Sequence, residues 1–268
     1  MNRRAFFVSD RTGITAETLG ASLLTQFPDI DFKRTNIPFV TNELAAHAAV
    51  ATILRAAEDD AIAPLVFSTL TDPVIQKIVA TSSPHFFDLF GTFIAPLEIA
   101  LACQSSHTAG RMHGVNDSGA YDKRMQALNF TLSHDDGLSP RDLKESDLVL
   151  LGVSRSGKTP TCLYLAMHYS LKTANYPLTD DDFGSIKLPK ILQPCRDKLY
   201  GLTIAPEQLS RIRRERRPTG DYASLARCRA EISMAEAMFR TENIQYIDST
   251  SISIEEIAAT VVRDMGLH

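Results

Sequence analysis

The chain has 268 residues and a formal charge of −4, with 28 Lys and Arg against 32 Asp and Glu. That length suits one or two domains of about 150 residues, and a balance so near neutral gives no global pull toward nucleic acid or an acidic membrane surface. The four cysteines, Cys103, Cys162, Cys195 and Cys228, are scattered without a CxxC or a zinc-type spacing, so they read as reduced, mostly buried thiols. With no signal-type segment and no apolar run of about 18 residues, the expected compartment is the cytoplasm.

Ala5-Phe6-Phe7-Val8 reads as a strand, and Ser9-Asp10-Arg11-Thr12-Gly13 follows as a turn before Thr15, which can N-cap a helix carrying Leu19, Leu23, Leu24 and Phe27. Strand, polar turn and helix gather free backbone N–H groups at one point. Ser9, Asp10, Thr12 and Gly13 are therefore either an ordinary capped turn or a second phosphate or substrate site. The alternation continues with strands expected over 32–39, 65–69 and 86–89 and helices over 43–59, 72–82 and 92–103, the second of these capped by Asp72 with Pro73 in its first position. Repeated units of this length imply a doubly wound parallel sheet whose ligands sit at the carboxyl ends of the strands, near Ser9-Asp10 and Ser68-Thr69. His47, inside an alanine-rich helix, reads as structural.

Residues 104–119 are rich in Ser, Gly, His and Asn and read as a linker; His107 and His113 within it lack a third metal partner and read as solvated. A helix is expected over 121–132, ending in His134-Asp135-Asp136-Gly137. Asp135 and Asp136 suit a general base, a magnesium ligand or simply the closure of a turn, and all three remain open.

The run 147–151 is a buried-type strand that feeds into Gly152-Val153-Ser154-Arg155-Ser156-Gly157-Lys158-Thr159, which fits GxxxxGK[ST]. Leu163, Ala166, Met167 and Leu171 then fall at helical spacing, so strand, glycine loop and helix come in the order a phosphate-binding P-loop requires. In that arrangement the loop N–H groups cradle a di- or triphosphate, Lys158 adds a full positive charge, and Thr159 can ligate magnesium. Further strands are expected over 174–178, 198–205 and 244–247, and helices over 223–240 and 253–265. Asp180-Asp181-Asp182 reads as a solvated helix start. Between them, Arg211, Arg213, Arg214, Arg216 and Arg217 form the densest charge in the chain. Beside a P-loop such a cluster suits a lid that neutralises a transferred phosphoryl group, with a solvated basic face as the plain alternative. Asp248 is a poor magnesium carboxylate, which leaves that ligand unassigned.

Phe7-Val8-Ser9-Asp10, Thr12 to Thr18, His134 to Gly137, Gly152 to Pro160, Ala174 to Leu178 and Arg213 to Pro218 together resemble the pyruvate, phosphate/water dikinase regulatory proteins, over nearly the whole chain and nearest the bacterial branch. Arg11 departs from the pattern, which usually has glycine there. The resemblance implies a bifunctional enzyme acting on phosphoenolpyruvate synthase. It would phosphorylate a threonine with ADP as donor, and reverse this with inorganic phosphate, releasing pyrophosphate. Magnesium is the expected metal, Lys158, Asp135, Asp136, Arg213 and Arg216 the expected catalytic residues, and a homodimer is left open. The expected organisation is an N-terminal α/β domain (1–103), a linker and helical connector (104–145) and a P-loop kinase-like α/β domain (146–268). A small-molecule kinase and a non-catalytic nucleotide sensor are the rival readings.

Overall fold

Alternation of β-forming and helix-forming runs produces two α/β units, Met1–Gly114 and Val115–His268. The computed structural model describes residues 2–106, 118–135, 140–184, 187–217 and 220–267, so His107 and His113 lie outside the described residues.

In the first unit the elements are β1 (Asn2–Val8), α1 (Ile14–Leu24), β2 (Asp31–Ile37), α2 (Glu43–Asp60), β3 (Leu65–Ser68), α3 (Pro73–Ala80), β4 (His85–Asp88) and α4 (Leu89–Leu101). The strands are all parallel and lie in the order β2-β1-β3-β4. Successive side chains of a strand point to opposite faces, and β1 shows this directly. Phe6 and Val8 enter one core with Ile53 and Ala49 of α2 and Val79 of α3, whereas Ala5 and Phe7 enter another with Ala16 and Leu24 of α1. A sheet buried on both faces is the doubly wound arrangement. Asp72 caps α3 as expected, its carboxylate accepting the Val74 N–H at 2.7 Å. Thr15 does not cap α1. Gly13, in the left-handed region at φ 81°, is the N-cap, because the chain must reverse immediately after β1 and only a residue without Cβ fits. An added Cβ there would stand 2.2 Å from Asn36 Oδ1.

The second unit contains α5 (Ser118–Ser133), β5 (Leu148–Val153), α6 (Lys158–Tyr169), β6 (Thr173–Leu178), β7 (Leu199–Thr203), α7 (Pro206–Arg216), α8 (Leu225–Thr241), β8 (Tyr246–Asp248) and α9 (Ile254–Met265). Its sheet repeats the first, parallel in the order β6-β5-β7-β8. Val149, Leu151 and Val153 of β5 face Leu209 of α7 and Ile232 and Phe239 of α8; Leu148 and Leu150 face Leu165 of α6 and Val261 of α9. The helix expected within the connector, α5, belongs to this unit and packs on α6 and on β6, the Thr131 and Thr173 hydroxyls lying 3.0 Å apart in the buried contact with β6. None of the helices among the described residues is long and apolar enough to cross a membrane.

Candidate active site

Every residue of β5 is buried, and the strand ends in the glycine loop at the carboxyl edge of its sheet. Gly152 allows the closest approach in the site: a Cβ would lie 2.4 Å from the Leu202 carbonyl oxygen of β7 and 2.8 Å from Ser156 Oγ. Arg155 (φ 77°) and Gly157 (φ 93°) are both left-handed, and this alternation curls successive N–H groups into a concave anion nest. Gly157 is the N-cap of α6, so the first N–H groups of that helix have no carbonyl within the helix to receive them.

Side chains hold the carbonyls of the loop, one from within it and two from elsewhere in the unit. Lys158 Nζ donates to the Val153 oxygen at 2.9 Å, Ser249 Oγ to the Ser156 oxygen at 3.0 Å, and Arg213 Nη2 and Nε to the Ser154 oxygen at 3.1 and 3.4 Å. Lys158 is itself buried, a lysine folded against its own loop and not one reaching into solvent.

At the start of α6, Thr159 Oγ1 donates to Asp135 Oδ1 at 2.8 Å. Asn175 of β6 donates through Nδ2 to Thr159 Oγ1 at 2.9 Å and to the same Asp135 oxygen. The Asp135 carboxylate is delivered by the end of α5, which the Thr131–Thr173 contact and the Asn175 N–H to His134 carbonyl bond (3.3 Å) fasten to β6. Among the described residues, the buried atoms Ser156 Oγ, Asn175 Oδ1 and His134 Nε2 around this region have no hydrogen-bond partner. Hydroxyl, carboxylate and amide oxygens form a hard donor set of the kind a magnesium ion takes, keeping waters on its other positions. Among the described residues no three His, Cys, Asp or Glu side chains gather as a metal cluster. Cys162, one turn into α6, is buried, and burial pushes its thiol up to about 12, so it is an inert packing group beneath the loop.

Of the acidic residues weighed in the sequence, Asp135 is the one whose carboxylate stands beside Thr159. Asn175 was missed as a site residue; its only signal is a strongly polar side chain in the middle of a buried strand. Asp136 and Gly137 lie outside the described residues. Asp180 pairs with Arg227 across 2.5 Å, and Asp182 accepts from the Tyr176 hydroxyl at 3.0 Å, so both serve local contacts.

The arginine cluster divides. Arg216 is exposed, as are Arg211, Arg214 and Arg217. Arg213 is fully buried and ion-paired with Glu231 at 2.6 Å, its guanidinium 4.3 Å from the Tyr222 ring centre. The sequence suggested a phosphoryl-neutralising lid at this residue; in the structure its guanidinium donors serve Glu231, Ser154 and the Tyr222 carbonyl (3.0 Å), as a brace on the loop.

In the first unit Ser9 and Asp10 are buried at the end of β1. Ser9 Oγ accepts the Arg11 N–H at 3.2 Å, and Asp10 accepts the N–H and hydroxyl of Thr71 at 3.1 and 2.7 Å. Thr12 is exposed, and its carbonyl accepts from Asn36 at 3.2 Å beside Gly13. Asp10, Arg11, Thr71 and Asp72 border an open cavity of about 470 Å3 at this strand edge. Two carboxylates face it with one arginine.

The sequence profile of the kinase/pyrophosphorylase family matches residues 5–262. The chain belongs to that family. Among similar proteins, one from an Azoarcus species is 51% identical over 99% of this chain and 96% of its own length. One from Bordetella pertussis is 49% identical over 100% and 98%, and one from Marinobacter nauticus 46% over 100% and 98%. All three carry the provisional name phosphoenolpyruvate synthase regulatory protein. Membership of a kinase/pyrophosphorylase family points to phosphotransferase activity.

Proposed function

We propose that the protein is a bifunctional regulator of phosphoenolpyruvate synthase. It transfers the β-phosphoryl group of ADP to a threonine hydroxyl of that enzyme, leaving AMP. In the reverse activity inorganic phosphate removes the group, restoring threonine and releasing pyrophosphate. The observation that supports this best is the junction of Lys158, the loop N–H groups and the Thr159–Asp135–Asn175 contact at one helix start. The similar proteins' names point to the same partner.

In this reading the loop N–H groups and Lys158 bind and orient the phosphates, so that the reacting oxygens are held in line. Thr159 and Asp135 would hold magnesium, with Asn175 fixing both side chains. The metal, when bound, supplies positive charge against the developing charge of the transferred group. Because the Asp135 carboxylate is occupied with Thr159 and Asn175, the threonine proton goes to Asp136, the adjacent carboxylate. Arg216, exposed on the last turn of α7 like Arg211 and Arg214 of the same helix, is a cation available to a phosphorylated partner segment. The two directions need different things, since phosphate arrives as an oxyanion and the threonine hydroxyl must lose a proton.

The test is mass spectrometry of purified phosphoenolpyruvate synthase after incubation with the protein and ADP, followed by inorganic phosphate. A threonine gaining and then losing one phosphoryl group, with pyrophosphate released, is the expected result. ADP consumption without the synthase would instead favour a small-molecule kinase, and tight nucleotide binding with no transfer would favour a sensor.

A further inference from the structure

We propose that Arg213, held by Glu231, is the positioning residue that aims the phosphate loop. The inference rests on the reading of the loop as a nucleotide phosphate site and concerns how that site is kept in shape.

A buried ion pair is an expensive way to obtain stability, because desolvation offsets most of the attraction and an apolar pair of similar volume often does as well. Arg213 is nonetheless fully buried opposite Glu231. What a guanidinium adds is a rigid fork with several donors in one plane. One edge of this fork is fixed by Glu231 and the Tyr222 carbonyl, and its Nε and Nη2 both reach the Ser154 carbonyl of the loop. The Tyr222 hydroxyl meets Ser154 Oγ at 3.0 Å, and Glu231 is steadied from its other oxygen by Arg227 Nε at 2.8 Å.

Ser154 is the residue before Arg155, and among the described residues no peptide bond is cis. In a trans peptide unit the carbonyl and the following N–H point to opposite sides. Pinning the Ser154 carbonyl toward Arg213 therefore turns the Arg155 N–H the other way, into the nest. Ser249 does the same for the Ser156 carbonyl and the Gly157 N–H. The charge pair thus converts the α7–α8 packing into a fixed direction for loop N–H groups, before any ligand arrives. A lysine at 213 would keep the charge opposite Glu231, but a single ammonium on a flexible stem cannot hold the carbonyl from two points.

The test is calorimetric titration of the full chain with ADP plus magnesium and, separately, with pyrophosphate plus magnesium, at a temperature where each variant is folded by circular dichroism. Wild type is compared with Arg213→Lys and with Met238→Ala, a core truncation on α8 that lowers stability and removes none of the polar contacts to the loop. Arg213→Lys should bind both probes about tenfold more weakly, the lower end of what losing an outer-shell partner costs a bound ligand. Met238→Ala should bind both as wild type does. If Arg213→Lys does not fold, Glu231→Gln is read in its place, with a loss in the same direction. Wild-type affinity in a folded Arg213→Lys or Glu231→Gln protein overturns the proposal, as does an equal loss in Met238→Ala. Absence of binding by the wild-type protein overturns the nucleotide reading and this inference with it.

Discussion

Asp135 and Asp136 are neighbours in the chain, yet their chemistry separates once Asp135 is seen accepting from Thr159 and Asn175. If Asp135 holds magnesium as proposed, it would serve both directions of transfer, so Asp135→Asn should depress threonine phosphorylation and its phosphate-dependent reversal alike, by about 10²-fold or more. Asp136→Asn should depress phosphorylation by a similar factor and spare the reversal, since only the hydroxyl needs a base. Initial rates in both assays, on one preparation of each variant, check the split. Lys158→Ala should weaken ADP binding and lower transfer by about 10²-fold or more, because charge on the transferred group is left without its nearest cation. Its side chain is buried and bonded to the Val153 carbonyl, so thermal unfolding should also move down, in contrast to an exposed lysine. Calorimetric binding and a melting curve measure the two effects.

The elements around the loop are tied by polar contacts as well as by their cores. Tyr200 of β7 is buried and donates its hydroxyl to Asp264 of α9 at 2.8 Å. Burial first, and then Asp264, push the tyrosine hydroxyl upward; the tyrosine bond first, and then Arg263, pull the Asp264 carboxyl downward. The signs decide the pH dependence. A depressed carboxyl contributes stability above its unfolded value that is lost as pH falls through the folded one, and a raised hydroxyl contributes stability below its unfolded value that is lost as pH rises. Tyr200→Phe should therefore lower the melting temperature by ~2–4 °C near neutral pH, with the deficit shrinking below about pH 4 and above about pH 10. Melting curves across that range test it, and a deficit constant with pH would assign the loss to packing.

At the scale of the whole molecule, each unit closes its own sheet between two cores, and all of the loop, its braces and the Asp135 contact come from Val115–His268. That fragment should fold alone and bind ADP with magnesium about as well as the full chain, by circular dichroism and calorimetry. A folded fragment without binding would give the first unit a part in the nucleotide site.

The alternation of short buried runs with helical spacing made both parallel sheets legible, and the glycine loop between strand and helix could be read from eight consecutive residues. Such features are local: near neighbours set the backbone conformation and the period of the apolar face. The first-unit turn was legible as a turn, but not that Gly13 and not Thr15 would cap it, since that is set by the left-handed backbone the chain adopts at Gly13. The contacts that complete the second site join residues 24 positions apart for Asp135 and Thr159, 16 for Asn175 and Thr159, and 59 for Arg213 and Ser154. Five arginines in sequence look equivalent as charges. Burial distinguishes them, because a guanidinium withdrawn from water must spend its donors on fixed acceptors while its exposed neighbours keep theirs for solvent or a ligand. Only packing of α7 on α8 decides which of the five is withdrawn, and with it which arginine shapes the loop.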